Sequence, residues 1–509
     1  MPEDLSDIPL ISVQDVLPHN NPDDCWVVIL GEVWDLTGFV GEHPGGPSTI
    51  LKYAGRDATE AFLGIHAISL IRENISIEHF KGKLDTSTIT LDWAQSQTTQ
   101  KAEQKASEDS KPPLHTLINS YDFETAAAKH ASVKAYTFYS TADTDCWTRD
   151  ANESMLKRIW FRPRVMRDVS SVDTSSAMLG IPVSMPLFIC PTGVARLIHA
   201  DAEKGLARAA RGMGILEIIS TNSGHPLEEI IHEVPNHPFF FQLYLNKQRQ
   251  KSKEVLQKAE RLGCKAIFLT VDAAGRGKRE ADERLKSDDI LPDPITGKPV
   301  KAGAGLTKIM GSYIDQGMTW EDLAWIRSVT SLPIILKGIT SAEDAKISMH
   351  YNVDGILLSN HGGRNLDYSP PAILLLLEMH KNCPEVFDKM EVYVDGGFRR
   401  GADIIKALCL GAKAVGMGRS FLYALHYGTE GVEHLVQCRF CFVPLMMWLT
   451  LANGMFAVLK AEMEAVMKLI GITSLAQVYP ELVNTSDVDH LVPSGADHPY
   501  IKWRAQSKL

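Results

Sequence analysis

Eight short apolar runs, separated by helix-like stretches, extend from residue 186 to residue 418 of this 509-residue chain. Each run is followed by polar or glycine-rich residues. Parallel strands that helices cover have near-continuous apolar sequences, and eight strand–helix units are the number in a (β/α)8 barrel. No GxGxxG follows the first run, which disfavours the alternative, a doubly wound open sheet. We therefore predict a TIM barrel with strands in PLFIC (186–190), LEIIS (216–220), FFFQL (239–243), AIFLTV (266–271), IILK (334–337), GILLS (355–359), VYVD (392–395) and AVGMG (414–418).

The ends of these predicted strands carry polar side chains. In a barrel, the catalytic and binding groups lie at the C-terminal ends of the strands. Glycine-rich turns at 395–401 and 416–419 follow the seventh and eighth strands, where barrels bind phosphate through backbone N–H groups and an arginine. We therefore expect a phosphorylated cofactor or substrate there. The polar residues at the other strand ends include Thr192, Ser220, Gln242, Tyr244, Thr270, Asp272 and Lys337.

Four side chains at this end suit acid–base and anion-binding chemistry. His361 stands between Asn360 and two glycines, so its ring is accessible and it is a candidate general base. Asp272 could orient the protonated ring, and Arg364 could bind a carboxylate through two hydrogen bonds. Lys337 could form a Schiff base or hold negative charge on a cofactor. Each residue alone could belong to a structural ion pair or a turn, but together they favour an active site.

A smaller domain precedes the barrel. Residues 25–40, CWVVILGEVWDLTGFV, contain two β-rich runs around a Gly-Glu turn, which predicts a hairpin. His43 is followed by Pro-Gly-Gly, and His66 comes 23 residues later, after a helix-like segment. Two imidazoles on opposed walls of an apolar pocket can clamp a haem iron. In the alternative reading, His43 caps a helix and His66 lies on the surface.

The stretch WVVILGEVWDLTGFVGEHPGG resembles the cytochrome b5 family, and the similarity covers about residues 8–84. The resemblance implies that His43 and His66 are the two ligands of a haem b iron. An iron held in this way has no open coordination position, so the domain would transfer electrons and would not bind oxygen.

The stretches SNHGGRNLDY and VDGGFRRGADIIKALCLGAKAVGMGR resemble the FMN-dependent α-hydroxy acid dehydrogenase and oxidase family, over about residues 115–485. The resemblance implies that His361 removes a proton while the substrate α-hydrogen passes to FMN, with carbanion and hydride versions both open. Asp272 would support His361, and Lys337 would stabilise the reduced flavin. The substrate would contact Phe138, Asn222, Tyr244, Arg279, His361 and Arg364. The cofactor would contact Cys190, Pro191, Thr192, Gly193, Ser220, Gln242, Thr270, Lys337 and Ser359, and its ribityl phosphate Asp395, Gly396, Gly397, Phe398, Arg399, Gly418 and Arg419.

With a cytochrome b5-like domain before such a barrel, the whole chain resembles the flavocytochrome b2 family. This similarity implies oxidation of an L-2-hydroxy acid, lactate or a relative, to the 2-oxo acid. Electrons would pass from FMN through haem b to a one-electron acceptor such as cytochrome c, and the protein would be a homotetramer. Two alternatives stay open. One is an FMN-dependent oxidase that reduces O2 to hydrogen peroxide, and the other is a b5-type electron carrier with an inactive barrel.

Three residues depart from the family pattern. Phe138 replaces a tyrosine whose hydroxyl contacts the substrate carboxylate, at a cost of about 1.5–3 kcal/mol if nothing compensates. Asn222 is polar where the lactate enzyme is apolar and lines the side-chain pocket. We therefore predict a substrate whose side chain is not simply methyl. Gly193 replaces an alanine beside the flavin, which would leave room for O2 and raise oxidase leakage.

The charge is concentrated in the first domain. The net charge of the whole chain is −10, and residues 1–84 carry 13 acidic but only 5 basic side chains. This distribution argues against nucleic acid as a partner and favours a basic acceptor protein, such as one like cytochrome c. The first ten residues, MPEDLSDIPL, have no features of a secretory or mitochondrial signal. We expect a cytoplasmic enzyme, with the mitochondrial intermembrane space as the alternative.

The stretch CRFCFVPLMMWLTLANGMFAVL, residues 438–459, does not fit the barrel pattern. Its last 19 residues are uncharged, close to the length of a membrane-spanning helix. If all but one residue of 438–458 is left out, the flanking apolar residues fall on one face of a single eighth helix. We interpret the segment as a translated intron, with an insertion loop and a membrane anchor as alternatives, and we expect no membrane association. The apolar residues of that helix are Val432, Leu435, Val436, Leu459, Met463, Val466, Met467 and Ile470.

These patterns predict the domain organisation. A linker rich in Ser, Thr, Gln and Lys separates the haem domain from the barrel. The predicted boundaries are 8–84 for the haem domain, 85–112 for the linker, 113–485 for the barrel with the interruption at 438–458, and 486–509 for a C-terminal tail.

Overall fold

The computed structural model describes residues 8–41, 47–59, 62, 71, 75–90, 93, 110–275, 277–284, 313–436 and 458–494. The chain divides into two compact units, Met1–Lys111 and Pro112–Leu509. The predicted haem ligands His43 and His66 lie outside the described residues.

The first unit is built on a mixed β-sheet. In this sheet β4 pairs antiparallel with β3 and β6, and β2 pairs antiparallel with β3. The pairs β1–β6 and β3–β5 are parallel. The elements are β1 (Leu10–Ile11), α1 (Val13–Val16), β2 (Asn20–Asn21), β3 (Asp24–Ile29), β4 (Glu32–Asp35), α2 (Pro47–Leu51), β5 (Arg56–Asp57) and β6 (Phe80–Leu84).

The predicted hairpin is present, but its turn comes one residue earlier than expected. Strands β3 and β4 pair up to Ile29 opposite Glu32, so the turn is Leu30–Gly31. Both turn residues have positive φ, 52° and 74°. Two such residues form a type I′ turn, whose twist matches that of the paired strands. Glu32 is therefore the first residue of β4 and not part of the turn.

Apolar side chains cover both faces of this sheet, as the period of two along β3 requires. On one face, Val27 and Ile29 join a buried cluster with Trp34. On the other face, Val28 packs in a cluster that contains Trp93, which is 6% exposed. Trp93 belongs to the segment predicted as a linker, so the described start of that segment packs on the first unit.

The second unit contains a closed barrel of eight parallel strands. Each strand pairs with the next, and β17 pairs with β10, where Val415 stands opposite Leu187. The predicted TIM barrel is confirmed, and all eight predicted runs form its strands. They are β10 (Leu187–Ile189), β11 (Leu216–Ser220), β12 (Phe239–Leu243), β13 (Ile267–Thr270), β14 (Ile334–Ile339), β15 (Gly355–Leu358), β16 (Glu391–Asp395) and β17 (Ala414–Met417), preceded by β7 (Trp160–Phe161), β8 (Ser176–Met178) and β9 (Ile181–Val183) and followed by β18 (Val483–Asn484).

Large side chains fill the barrel interior. Phe188, Phe240, Phe268 and Tyr393 are fully buried there and pack against one another. The β8–β9 hairpin adds Met178 to this cluster. The barrel is therefore a packed core, as in other barrels of this type, and a site can form only at its open, C-terminal end.

Helices surround the barrel on its outer side. All but the short helix at Glu280–Arg284 contribute buried apolar side chains to one continuous cluster with the strands. These helices are α3 (Ser120–His130), α4 (Val133–Ser140), α5 (Trp147–Lys157), α6 (Ala202–Met213), α7 (Leu227–Glu233), α8 (Arg249–Arg261), α9 (Glu280–Arg284), α10 (Asp322–Val329), α11 (Ala342–His350), α12 (Ala372–Asn382), α13 (Val386–Lys389), α14 (Gly401–Cys409), α15 (Arg419–Leu425), α16 (Gly428–Val436) and α17 (Leu459–Leu469). In the described part of the chain, none of the helices has both the length and the apolar character to cross a membrane.

The described start of the predicted C-terminal tail packs on the second unit. Val488 and Val492 are buried, and Lys381 Nζ donates to the carbonyls of Asp489 and Val492, at 2.9 Å each. Residues 495–509 lie outside the described residues.

The place of the single predicted eighth helix is taken by α16 and α17, which contact each other. The predicted interruption, 438–458, lies outside the described residues except for Val458, which is buried. On α17, Glu462 accepts hydrogen bonds from Arg400 Nη1 (2.6 Å) and from Gly401 N (2.7 Å). Through these bonds α17 holds the turn that follows β16.

Removal of residues 438–457 tests the helix interpretation. The deletion puts Leu459 four positions after Leu435 and joins their buried faces in one helical register. We expect the variant to keep FMN and to give at least the wild-type yield of soluble protein, measured by flavin absorbance after purification. The matched control removes 438–456, which rotates the second helix by about 100° and should lower Tm. Loss of FMN from the 20-residue deletion, or equal Tm for both deletions, would contradict the interpretation.

Candidate active site

A cavity of about 630 Å³ opens at the C-terminal end of the barrel. Most of the predicted site residues line it, including those from strands far apart in sequence. The predicted residues on its wall are Phe138, Cys190, Pro191, Thr192, Gly193, Ser220, Asn222, Tyr244, Arg279, Lys337, His361, Arg364, Asp395, Gly396, Gly397, Phe398, Arg399, Gly418 and Arg419.

Four predicted residues lie behind this wall and hold it in place. Gln242 Nε2 donates to Thr270 Oγ1 at 2.9 Å, and Ser220 Oγ donates to Gln242 Oε1 at 3.2 Å. Ser359 accepts from the Lys337 ammonium, and Asp272 accepts from the ring of His361.

His361 and Asp272 form a partly buried acid–base pair. Nδ1 of His361 is 3.0 Å from Asp272 Oδ1 and 3.2 Å from Oδ2. Burial opposes ionisation of Asp272, but its interactions with His361 and Lys337 outweigh this effect and lower the pKa of the carboxyl. Burial also lowers the pKa of His361, against the pull of Asp272. At neutral pH the ring is therefore neutral, its Nδ1–H donates to Asp272, and Nε2 is available to accept a proton.

The turn after β15 fixes this ring at the cavity wall. His361, Gly362 and Gly363 have positive φ, 58°, 64° and 76°. A Cβ on Gly363 would lie 2.6 Å from the backbone nitrogen of Arg149, so only glycine fits there. The close contact of this turn with α5 explains the glycine at position 363, whereas a Cβ on Gly362 would lie 3.1 Å from Arg419 Nη1.

Arginines give the substrate side of the cavity a positive charge. Desolvation lowers the pKa of Arg364, and the nearby charges of Arg279 and Arg419 lower it further. Burial also lowers the pKa of Arg279 to about 10. A carboxylate bound here would reverse these effects and would form paired hydrogen bonds with a guanidinium. Tyr244 adds a hydroxyl 3.4 Å from His361 Nε2.

Lys337 is a buried cation between two carboxylates. Its ammonium donates to Ser359 Oγ at 3.0 Å and lies 3.7 Å from Asp395 Oδ2. Burial works against the charged form, but Asp395 and Asp272 outweigh it and raise the pKa of Lys337. The lysine therefore stays protonated. This favours the role of an anion-stabilising cation over that of a Schiff-base nucleophile, which must be neutral.

Unpaired polar groups mark the opposite side of the cavity. In the described part of the chain, Asp395 Oδ1 and Arg399 Nη1 are buried and have no hydrogen-bond partner. Asn152 packs closely on the turn after β16, so that only glycine fits at position 397, where a Cβ would lie 2.5 Å from the Asn152 backbone. A polar, phosphate-bearing ligand would satisfy these groups.

The comparison with known proteins now identifies the family. The pattern of the FMN-dependent dehydrogenases matches residues 127–439, and that of the cytochrome b5-like haem/steroid-binding domain matches residues 12–85. The chain belongs to the FMN-dependent dehydrogenase family. This assignment confirms the predicted enzyme class, an FMN- and haem-dependent 2-hydroxy acid dehydrogenase.

Three relatives illustrate the similarity. L-lactate dehydrogenase (cytochrome) of Saccharomyces cerevisiae is 37% identical over 94% of this chain and 80% of its own length. The solved flavin-binding domain of baker's yeast flavocytochrome b2 is 35% identical, with a TM-score of 0.64 over 80% of this chain and 96% of its own. Bovine 2-hydroxyacid oxidase 2 is 39% identical but covers only 73% of this chain, against 99% of its own length.

FMN fits the described residues of the dehydrogenase cavity. Lys337 would face an anionic edge of the flavin, while Arg399 and Arg419 would hold the phosphate. The dehydrogenase also binds haem b through its first unit. There, described apolar side chains such as Leu36, Val40 and Ile75 are 5–8% exposed and suit the faces of a porphyrin.

The structure explains how Arg364 is held without the family's tyrosine. Arg364 Nη1 donates to the carbonyls of Phe138 (2.9 Å), Tyr139 (3.2 Å) and Thr141 (3.0 Å). Its guanidinium carbon also lies 5.2 Å from the centre of the Phe138 ring. The backbone of α4 and its C-cap thus orient Arg364 without any contribution from a phenol at position 138.

Several positioning contacts have no signal in the sequence motifs. Asn152 and Asn360 exchange amide hydrogen bonds of 2.9 and 2.8 Å, which fix the turn that carries His361. Asn365 Nδ2 donates to the Asp272 carbonyl at 2.8 Å. Gly338 lies so close to Asp272 that a Cβ would come within 2.6 Å of it. A single sequence does not reveal these contacts because they join segments far apart in the chain.

We predict a pH profile set by the acid–base pair. Because the His361 ring must be neutral and burial lowers its pKa, kcat/KM should rise with pH below about 6.5 and be flat above 7. In D272N the carboxylate no longer raises this pKa, so the acid limb should move to lower pH. The turnover kcat should fall about ten- to hundredfold with the loss of a charge-assisted hydrogen bond. An unmoved acid limb in D272N would contradict this role.

Restoring the phenol at position 138 tests the substrate side. In F138Y the new hydroxyl should reach the substrate carboxylate and lower KM about tenfold, with kcat within about twofold of wild type. Steady-state kinetics with an artificial electron acceptor measure both constants. A KM that does not fall would show that Phe138 does not face the bound carboxylate.

Proposed function

We propose that the enzyme oxidises a short L-2-hydroxy acid, of the lactate class, to the 2-oxo acid and passes the electrons singly to a basic protein like cytochrome c. The observation that carries the proposal is the group of Asp272-supported His361, Arg364 and Arg279 around one cavity. It combines a base with a carboxylate site, which a 2-hydroxy acid requires. The yeast relative that is similar over both domains carries the name L-lactate dehydrogenase (cytochrome).

The chain's own residues account for substrate binding and proton removal. Arg364 and Arg279 bind the substrate carboxylate, and the Tyr244 hydroxyl lies next to the base. His361 Nε2 accepts the proton that the alcohol releases, and Asp272 stabilises the imidazolium that results. FMN, when bound, would supply the acceptor for the substrate α-hydrogen together with its two electrons. Lys337 offsets negative charge that develops in the cavity.

We also propose an electron acceptor, an oligomeric state and a cellular compartment for this enzyme. A first domain with 13 acidic and 5 basic residues would attract a basic acceptor, with a rate that falls as salt rises. A homotetramer is inferred from the resemblance to flavocytochrome b2. The compartment stays a prediction, namely the cytoplasm, or the mitochondrial intermembrane space if the acceptor is cytochrome c itself.

An oxidase that forms hydrogen peroxide is the second candidate. Gly193 on the cavity wall favours it, since the family's alanine would fill more space. The bovine oxidase, however, covers only 73% of this chain, so a large part of the chain has no counterpart in it. The inactive-barrel alternative is disfavoured, because His361, Arg364, Lys337 and Tyr244 line one cavity with Asp272 behind them.

Turnover with two acceptors distinguishes these functions. With L-lactate as donor, we expect turnover with oxidised cytochrome c to exceed turnover with O2 at least about tenfold, and to fall as salt is raised from about 0.05 to 0.2 M. G193A should reduce hydrogen peroxide yield further. If turnover with O2 equals or exceeds turnover with cytochrome c and does not depend on salt, the proposal is contradicted and the enzyme is an oxidase.

A further inference from the structure

One wall of the cavity carries a polar side chain, Asn222, that the proposed chemistry does not use, and Tyr313 hydrogen-bonds to it. Asn222 follows β11, is 4% exposed and has its backbone fixed on both sides. Its N–H donates to Ser220 Oγ at 3.1 Å, and its carbonyl accepts from Val194 N at 2.9 Å. The side chain therefore has a defined position on the cavity wall.

Tyr313 fixes the side-chain amide of Asn222. Its hydroxyl donates to Asn222 Oδ1 at 2.9 Å. Nδ2 of Asn222 donates to no group among the described residues, although the residue is almost fully buried and lines the cavity. The Asn222 amide is therefore open to the cavity, where a ligand with a hydrogen-bonding atom would give it a partner.

This pair lies on the substrate side of the cavity. Tyr313 belongs to a segment that bonds to the residues after Tyr244. Lys247 N donates to the Tyr313 carbonyl at 3.0 Å, and Asp315 N donates to that of Leu245 at 2.8 Å. Tyr244 in turn reaches His361. Asn222 thus lies on the cavity wall that the ends of β11 and β12 form, whereas the unpaired groups that suit a phosphate-bearing ligand follow β16.

The chemistry of the pair defines what it would bind. An amide and a phenol are neutral, and the arginines Arg279 and Arg364 are needed for the substrate carboxylate. A second carboxylate on the substrate would therefore have no cation of its own. A hydroxyl is neutral and can both donate and accept, so it would pair with the amide in either of its two orientations.

We propose that the side-chain pocket selects 2-hydroxy acids with a further hydroxyl on carbon 3, the 2,3-dihydroxy acid class of which L-glycerate is the smallest member. This inference rests on the proposed function, and it names the substrate class of that site. Asn222 is the residue that determines this specificity, and Tyr313 positions its amide.

The test compares two acids of equal size, L-glycerate and L-2-hydroxybutyrate, which differ by a hydroxyl in place of a methyl. With the FMN- and haem-loaded enzyme and ferricyanide as acceptor, kcat/KM should be at least about tenfold higher for L-glycerate. In N222L the ratio of the two kcat/KM values should fall at least about tenfold, and in Y313F it should fall by a smaller factor. The control Q250L replaces an exposed amide on α8 and should keep the wild-type ratio.

The possible outcomes separate the inference from the proposed function. If no 2-hydroxy acid is turned over by loaded enzyme, the proposed function is overturned and the inference with it. If L-2-hydroxybutyrate or L-lactate is preferred, or if N222L and Y313F keep the wild-type ratio with FMN bound, the inference is overturned while the function stands. A preference for L-malate would also overturn the inference, because it would show that the pocket selects a second carboxylate and not a neutral hydroxyl.

Discussion

The parallel pairing of β17 with β10 is the constraint on which the site depends. It closes the sheet and brings residues such as Thr192 and Arg419 to the same cavity, although more than 200 positions separate them in the chain. Because the interior is filled by aromatic side chains, the closed barrel leaves space only at its end. The hydrogen-bonded pairing of the strands therefore fixes the place of each strand end, and of the side chains it carries, around the cavity. Loops then adjust it, as the positive-φ turn at His361 and Gly362 shows.

Electrostatics then divide the cavity into two sides. On the substrate side, burial lowers the pKa of both Arg279 and Arg364, and the charge of Arg279 lowers that of Arg364 further, so a carboxylate would stabilise both guanidinium groups. Lys337, in contrast, is kept cationic by two carboxylates and can offset negative charge that develops nearby. The His361–Asp272 pair lies beside both, with a ring that is neutral before reaction and can be charged after it. The arrangement thus suits the oxidation of an anionic alcohol, in which a proton must leave while negative charge is stabilised elsewhere.

The sequence predicted the architecture well because strand burial leaves a strong pattern. Each apolar run predicted the ends of its strand to within one or two residues, and the glycine-rich turns predicted where the cavity lies. The hairpin turn was placed one residue late, because the φ values of Leu30 and Gly31, and not the letters Gly-Glu, set the register. Contacts between distant segments, such as Asn152 with Asn360, left no signal. Asn222 stood out as a departure from the family pattern, but its partner Tyr313 became apparent only from the fold.

The central claim is that one chain takes electrons from a 2-hydroxy acid at the barrel and delivers them through its haem domain. Anaerobic mixing of the loaded enzyme with L-2-hydroxy acid, followed by stopped-flow absorbance, tests it most directly. The account predicts that the flavin absorbance is lost first and that the reduced haem band then rises at a rate independent of enzyme concentration. In H361Q, both changes should slow together. A flavin that bleaches while the haem band stays oxidised would contradict the account.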